Sequence, residues 1–188
     1  MIELSQDQKL QIISILQKIN VVRYGEFILK NGSESSVYID LRILPNFPNE
    51  YEEVIKIISD FFLTQEWRTE FDGIISPPLA GIPLGLALAI KLKKEFYLAR
   101  LVPKAYGTQK IIEGNISGKR ILVVDDVITS GGSKLPIISA IRDHGALITS
   151  LFVFINRMKS PDLKNFENEN DLRVSYLFSL EEISTFSS

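Results

Sequence analysis

The chain of 188 residues contains no cysteine. Disulfide frameworks, thiolate metal sites and cysteine nucleophiles are therefore excluded. It has a single histidine, His144, so histidine triads and multi-histidine metal sites have no candidates. His144 stands directly before Gly145, and a cation near a helix C-terminus is favourable, so it reads as a helix-end residue. Charge of one sign is not in excess. The net charge of −2 gives no support for nucleic acid or an anionic membrane as the main partner, although it leaves room for a local basic patch around an anionic substrate. Long apolar runs are scarce too. Ile74 to Ile90 carries no charge, but Pro77, Pro78, Pro83, Gly81 and Gly85 interrupt it, so a strand, a turn and a buried helix explain it better than a membrane span. Met1-Ile2-Glu3-Leu4-Ser5 lacks a basic start followed by an apolar stretch, so no signal peptide is expected and the cytoplasm is the expected location.

What is present is ordinary globular composition: 45% hydrophobic and 23% charged residues, enough for one domain with a real core. There is no internal repeat and no low-complexity linker. Ser5 with Gln8 forms a capping box, and Leu10, Ile13, Leu16 and Ile19 follow at helical spacing, which predicts a first helix over 6–19. Glu26–Leu29 and Val37–Ile39 read as short strands around Asn31-Gly32, a small hairpin hood. Asn49 is positioned to cap a helix carrying Val54, Ile57, Ile58, Phe61 and Phe62.

Beyond that point short apolar runs at Gly73–Ser76, Phe96–Ala99, Ile121–Asp125 and Leu147–Ile155 alternate with helical segments near 83–94 and 133–144, with a polar stretch at 102–119. This grammar predicts an α/β fold: a central, mostly parallel sheet flanked by helices. The expected division is an N-terminal helix and hood over 1–48, an α/β core over 49–160, and a C-terminal strand and helix over 161–188, all in one domain. Ligands of such sheets sit beyond the carboxyl ends of the strands.

The strongest signal is the run from Ile121 to Ser133: four apolar residues, the carboxylates Asp125 and Asp126, then Val127, Ile128, Thr129, Ser130, Gly131, Gly132 and Ser133, then a helix. The two glycines let the backbone turn tightly and approach a ligand. The loop N–H groups and the following helix start make a phosphate site, to which Thr129, Ser130 and Ser133 add hydroxyl donors. The aspartates accept hydrogen bonds from vicinal hydroxyls such as those of a ribose. Carboxylates beside a phosphate would repel it; a sugar with hydroxyls, together with a metal ion, resolves that conflict. The spacing is neither a P-loop nor G-x-G-x-x-G.

This run resembles the phosphoribosyl pyrophosphate (PRPP) motif of type I phosphoribosyltransferases. The resemblance implies that the loop holds the 5′-phosphate, that Asp125 and Asp126 hold the ribose, and that Mg²⁺ is bound mainly through the diphosphate. No direct protein ligand to the metal is then expected, with Asp125 reaching it at most through water.

Three further segments are similar to orotate phosphoribosyltransferases. The stretch Phe27 to Arg42 resembles that family's N-terminal hairpin, which implies Lys30 near both substrates. Arg100 to Gly114, with Lys104, Tyr106-Gly107-Thr108 and Ile112-Glu113-Gly114, looks like the family's catalytic loop. It implies Arg100, Lys104 and Tyr106 at PRPP, Lys104 as the key catalytic cation beside Asp125 and Asp126, and a homodimer whose loop acts in trans. Asn156-Arg157 matches the place where the family pairs an arginine with the orotate carboxylate, Thr129 touching the same base. Two positions depart from the family: Leu101 stands where a second diphosphate-binding lysine is usual, and Ala80 where some members carry lysine. The activity implied is transfer of a phosphoribosyl group from PRPP to orotate in pyrimidine synthesis. A purine phosphoribosyltransferase, which would share 121–133 without needing Arg157 or the 27–42 hairpin, and a non-catalytic PRPP-sensing regulator, which the loss of the Leu101 cation would suit, stay open.

Overall fold

The computed structural model describes residues 4–28, 34–64, 71–100 and 111–186. Lys30, Leu101, Lys104 and Tyr106 lie outside the described residues. The elements run α1 (Gln6–Lys18), β1 (Val22–Ile28), β2 (Glu34–Ile39), a 3-10 turn (Leu41–Asn46), α2 (Pro48–Thr64), β3 (Gly73–Ser76), α3 (Gly81–Leu92), β4 (Glu95–Leu98), β5 (Arg120–Ile128), α4 (Leu135–Asp143), β6 (Leu147–Asn156), α5 (Ser160–Asn170), β7 (Val174–Ser179) and α6 (Leu180–Thr185).

Five strands form a parallel sheet in the order β4-β3-β5-β6-β7, with β5 at its centre. Alternation along β5 divides the core. Leu122 and Val124 join Phe62, Phe71, Phe152, Phe154 and Phe178 on the face covered by α1, α2, α3 and α6. Ile121 and Val123 join Ile137, Ile141, Leu151, Val153 and Phe166 on the face covered by α4 and α5. β1 and β2 pair antiparallel as a separate two-stranded hood, with Phe27 stacked 5.5 Å from Tyr38. Among the described residues no helix is long and apolar enough to cross a membrane; the uncharged run at 74–90 divides into β3, a turn and α3.

The expected mostly parallel sheet with a hairpin hood is found, with instructive differences. The Ser5 capping box is formed, each partner receiving the other's backbone N–H. α2 begins at Pro48 rather than after Asn49; proline lacks the N–H that a first helical residue leaves unpaired, so it serves as the start. β1 begins at Val22, four residues before the expected Glu26, because buried Val22 already pairs with Ile39. β5 continues three residues beyond Asp125, since Val127 and Ile128 still pair with Ile155 and Asn156 of β6. α4 starts at Leu135 instead of 133, after a turn closed by the Lys134 N–H to the Gly131 carbonyl. The C-terminal stretch holds a helix, α5, ahead of the expected strand and helix. His144 caps α4, with its Nδ1 2.7 Å from the Ala140 carbonyl oxygen, and Gly145 follows at φ 70°.

Candidate functional site

The two aspartates sit inside β5 rather than at its tip, and strand alternation sends them to opposite sides. Asp125, paired in register with Val153, is buried, at 4% exposure. Its Oδ1 accepts the backbone N–H of Asp126 at 2.8 Å. Its Oδ2 lies 2.6 Å from Nζ of Lys134, itself 6% exposed. Asp126 is half-buried and lines a crevice with Leu41 and Leu44 of the 3-10 turn, Tyr51 of α2 and Pro83 of α3. Its Oδ1 accepts the Val127 N–H at 2.7 Å. Burial, with the Asp125 charge next to it, pushes the Asp126 carboxyl up to about 7. Arg42 is the nearby cation on the hood side. It grips Asp40 through two bonds of 2.6 and 2.8 Å, and that grip, with a smaller contribution from Asp126, raises its pKa.

Two glycines are required by close approach. A Cβ on Gly81, the first residue of α3, would lie 2.5 Å from Asp125 Oδ1. In the turn before it, Ala80 shares the crevice with Asp126, and the Pro78–Leu79 peptide is cis. Gly131 has φ +75°, and a Cβ there would lie 2.1 Å from the Phe166 ring of α5. The loop after β5 thus rests on α5 and lifts Thr129, Ser130, Gly132 and Ser133 into solvent, where the Thr129, Ser130 and Ser133 hydroxyls can each donate to a phosphate, Ser133 Oγ also accepting from Lys134. Val127 and Ile128 serve as strand residues, offering backbone groups only.

Arg157 follows the end of β6, and its N–H donates to the Ile128 carbonyl at 2.9 Å. That bond sets it beside the root of the loop, next to Thr129. Its guanidinium has no ion pair among the described residues, unlike those of Arg42, Arg100 and Arg120. Asn156 supports the bend, its side chain bonding both the N–H and the carbonyl of Met158. Arg100 leaves β4 and pairs with Glu113 at 2.9 Å. The backbone bonds Arg100 N–H to Ile111 and Glu113 N–H to Leu98 close the base of the segment between them. A cleft of about 330 Å³ opens there, lined by Pro78, Leu98, Ala99 and Arg100. Asp125, Asp126, the 129–133 loop and Arg157 are therefore brought together at the carboxyl ends of β5 and β6, with Arg100 across the sheet at the end of β4. Two residues were missed by sequence reasoning. Lys134 follows a polar turn and reads as solvated, and Phe166 is the one buried residue of α5.

Such a loop on a parallel sheet, with a buried and a half-buried acid behind exposed hydroxyls, suits a ligand that carries both a phosphate and a sugar. Residues 42–174 match the phosphoribosyl transferase domain family, and the chain belongs to it. Within that family the similarity runs to proteins named orotate phosphoribosyltransferase. The one from Methanocaldococcus jannaschii is 31% identical over 87% of this chain and 90% of its own length. That from Methanosphaera stadtmanae is 30% identical over 96% and 98%. The crystal structure of orotate phosphoribosyltransferase from Aeropyrum pernix superposes with a TM-score of 0.76 at 26% identity, covering 93% of this chain and 97% of that one.

Proposed function

We propose that the chain is an orotate phosphoribosyltransferase, forming orotidine 5′-monophosphate and pyrophosphate from orotate and PRPP in the cytoplasmic synthesis of UMP. The observation that carries the choice of base is Arg157, a cation without an ion pair among the described residues, held beside Thr129 by its bond to Ile128. A guanidinium there suits the orotate carboxylate, a group that purine bases lack. The near full-length similarity to relatives of that name supports the same reading.

N1 of anionic orotate attacks C1 of the ribose as the C1–O bond breaks, and pyrophosphate leaves with the electron pair. No protein nucleophile is needed, so catalysis is positioning plus electrostatics. The 129–133 loop binds the 5′-phosphate. Asp126, half-buried in the crevice under the 3-10 turn, accepts ribose hydroxyls and offsets the positive charge that develops on the sugar, with Asp125 behind it. Lys30, Lys104 and Tyr106 are assigned to substrates by their places in the sequence, and Arg100 with Lys104 to the leaving diphosphate. Mg²⁺, when bound, would be held mainly through the diphosphate and would offset part of its charge, with Asp125 reaching it at most through water. The acting unit is a homodimer.

The test supplies Mg²⁺ and PRPP with orotate, adenine or hypoxanthine and follows pyrophosphate. Orotate alone should react. Arg157→Ala should raise the orotate KM by about 10- to 150-fold, the cost of losing a charged hydrogen-bond partner, while the PRPP KM stays near its parent value. Turnover with a purine, or an unchanged orotate KM in folded Arg157→Ala, would remove this base from consideration.

A further inference from the structure

Lys134 is a buried cation that the reaction described above does not use. It precedes α4 with no side-chain cap of its own. Its ammonium turns back under the loop, 2.6 Å from Asp125 Oδ2, and donates to the Val127 carbonyl at 2.8 Å and to Ser133 Oγ at 3.1 Å. The side chains of Lys134 and Asp125 are 7% and 6% exposed. A lone carboxylate at that depth would be strongly unfavourable without a counter-ion. The other Asp125 oxygen holds the Asp126 N–H. A line of contacts therefore runs from Lys134 through Asp125 to the backbone of Asp126.

The arrangement also sets the charge that an incoming ligand meets. Two adjacent carboxylates present two negative charges beside a site whose ligand is a polyanion. The groups facing the pair are Lys134 from the turn before α4, Arg42 from the 3-10 turn, Tyr51 from α2, and the uncharged start of α3. Arg42 is already gripped by Asp40, which leaves Lys134 as the cation that balances Asp125. Buried charges are screened little by salt.

We propose that Lys134 is a positioning residue for PRPP: its buried charge neutralises Asp125 and fixes the Asp125–Asp126 backbone so that one acidic group, not two, confronts the phosphorylated sugar. This rests on the reading of the 129–133 loop as the PRPP site. In this role Lys134 acts through Asp125 and not on the reacting atoms.

The test compares Lys134→Met, Lys134→Gln and Lys134→Arg with the parent. Equilibrium binding of PRPP with Mg²⁺ is measured by calorimetry at about 50 and about 500 mM salt, and orotate and PRPP KM values are measured in turnover. Gln keeps a donor for Val127 and Ser133 but drops the charge; Arg keeps the charge. Circular dichroism establishes which variants fold, and if Met does not, Gln and Arg carry the comparison. Lys134→Gln and Lys134→Met should weaken PRPP binding by about tenfold or more, by the same factor at both salt concentrations within about twofold, with the orotate KM unchanged. Lys134→Arg should stay within about threefold of the parent. Parent-like binding by folded Lys134→Gln would show that the hydrogen bonds and not the charge matter, and would overturn the proposal. So would loss in folded Lys134→Arg as deep as in Lys134→Gln. A folded parent that binds no PRPP would instead overturn the assignment of the loop, and the proposal with it.

Discussion

Asp126 carries a consequence for pH that follows from its surroundings. Its carboxyl is raised to about 7 by burial and by the Asp125 charge, so between about pH 4 and pH 7 the folded chain binds a proton that the unfolded chain has released. The stability this proton provides is present below the unfolded value and is lost as the pH rises through about 7. One proton contributes at most about 1.4 kcal/mol per pH unit. Substrate-free protein should therefore lose denaturant resistance from pH 5 to 8, and Asp126→Asn should flatten that slope. Asp72, lowered to about 2 by Arg120, is ionised throughout the window and does not enter. Parallel slopes for parent and variant would show that Asp126 titrates normally. At this scale the sequence was informative about which residues matter and silent about how they differ. The adjacent acids at 125 and 126 stand out in a string of letters. Their unequal burial depends on strand alternation and on Lys134, whose neighbourhood exists only after α4 has folded back.

Among the elements, the loop after β5 and helix α5 depend on each other most. Gly131 adopts φ +75° where a Cβ would meet the Phe166 ring. Gly131→Ala should lower stability by about 1–3 kcal/mol through overpacking and backbone strain, read as a shift in denaturant midpoint, and should raise the PRPP KM. A variant within about 0.5 kcal/mol of the parent would mean that the loop does not rest on α5. The strands β3, β5 and β6 were legible because buried parallel strands read as continuous apolar runs. The start of β1 was less so: it leaves the hood and packs Val22 into the core, a change of environment within one strand. α5 was not legible. Ser160–Asn170 is polar apart from Leu163 and Phe166, and only Phe166 is buried, so no helical period shows. What ties it to the sheet is the Phe166 ring under a glycine from another element, Leu163 packed beside the same core, and the Glu167 carboxylate accepting the Val174 N–H of β7 at 2.7 Å.

For the whole molecule, the proposed homodimer makes each active site a joint product. The segment between Arg100 and Glu113 is closed at its base by the Ala99–Ile112 bridge and the Arg100–Glu113 ion pair, and its resemblance to a loop acting in trans motivates a test by complementation. Lys104→Ala and the double variant Asp125→Asn with Asp126→Asn should each be inactive alone. Refolded together at equal concentration, about half of the dimers are mixed by random two-fold pairing, and each mixed dimer holds one intact site and one doubly damaged one. About a quarter of parental activity should return. Activity staying at the level of the separate variants, with mixed dimers demonstrated, would place the loop within its own subunit.

The seat of Gly131 on Phe166 has a further meaning for a chain made from its N-terminus. Every residue of the phosphate-loop signature is synthesised before Phe166, yet the floor beneath that loop is supplied by a helix near the end of the chain. A nascent polypeptide can thus display the whole signature while still lacking the support that shapes it. Ligand binding should appear late in translation, when α5 has left the ribosome, and not when the signature itself emerges.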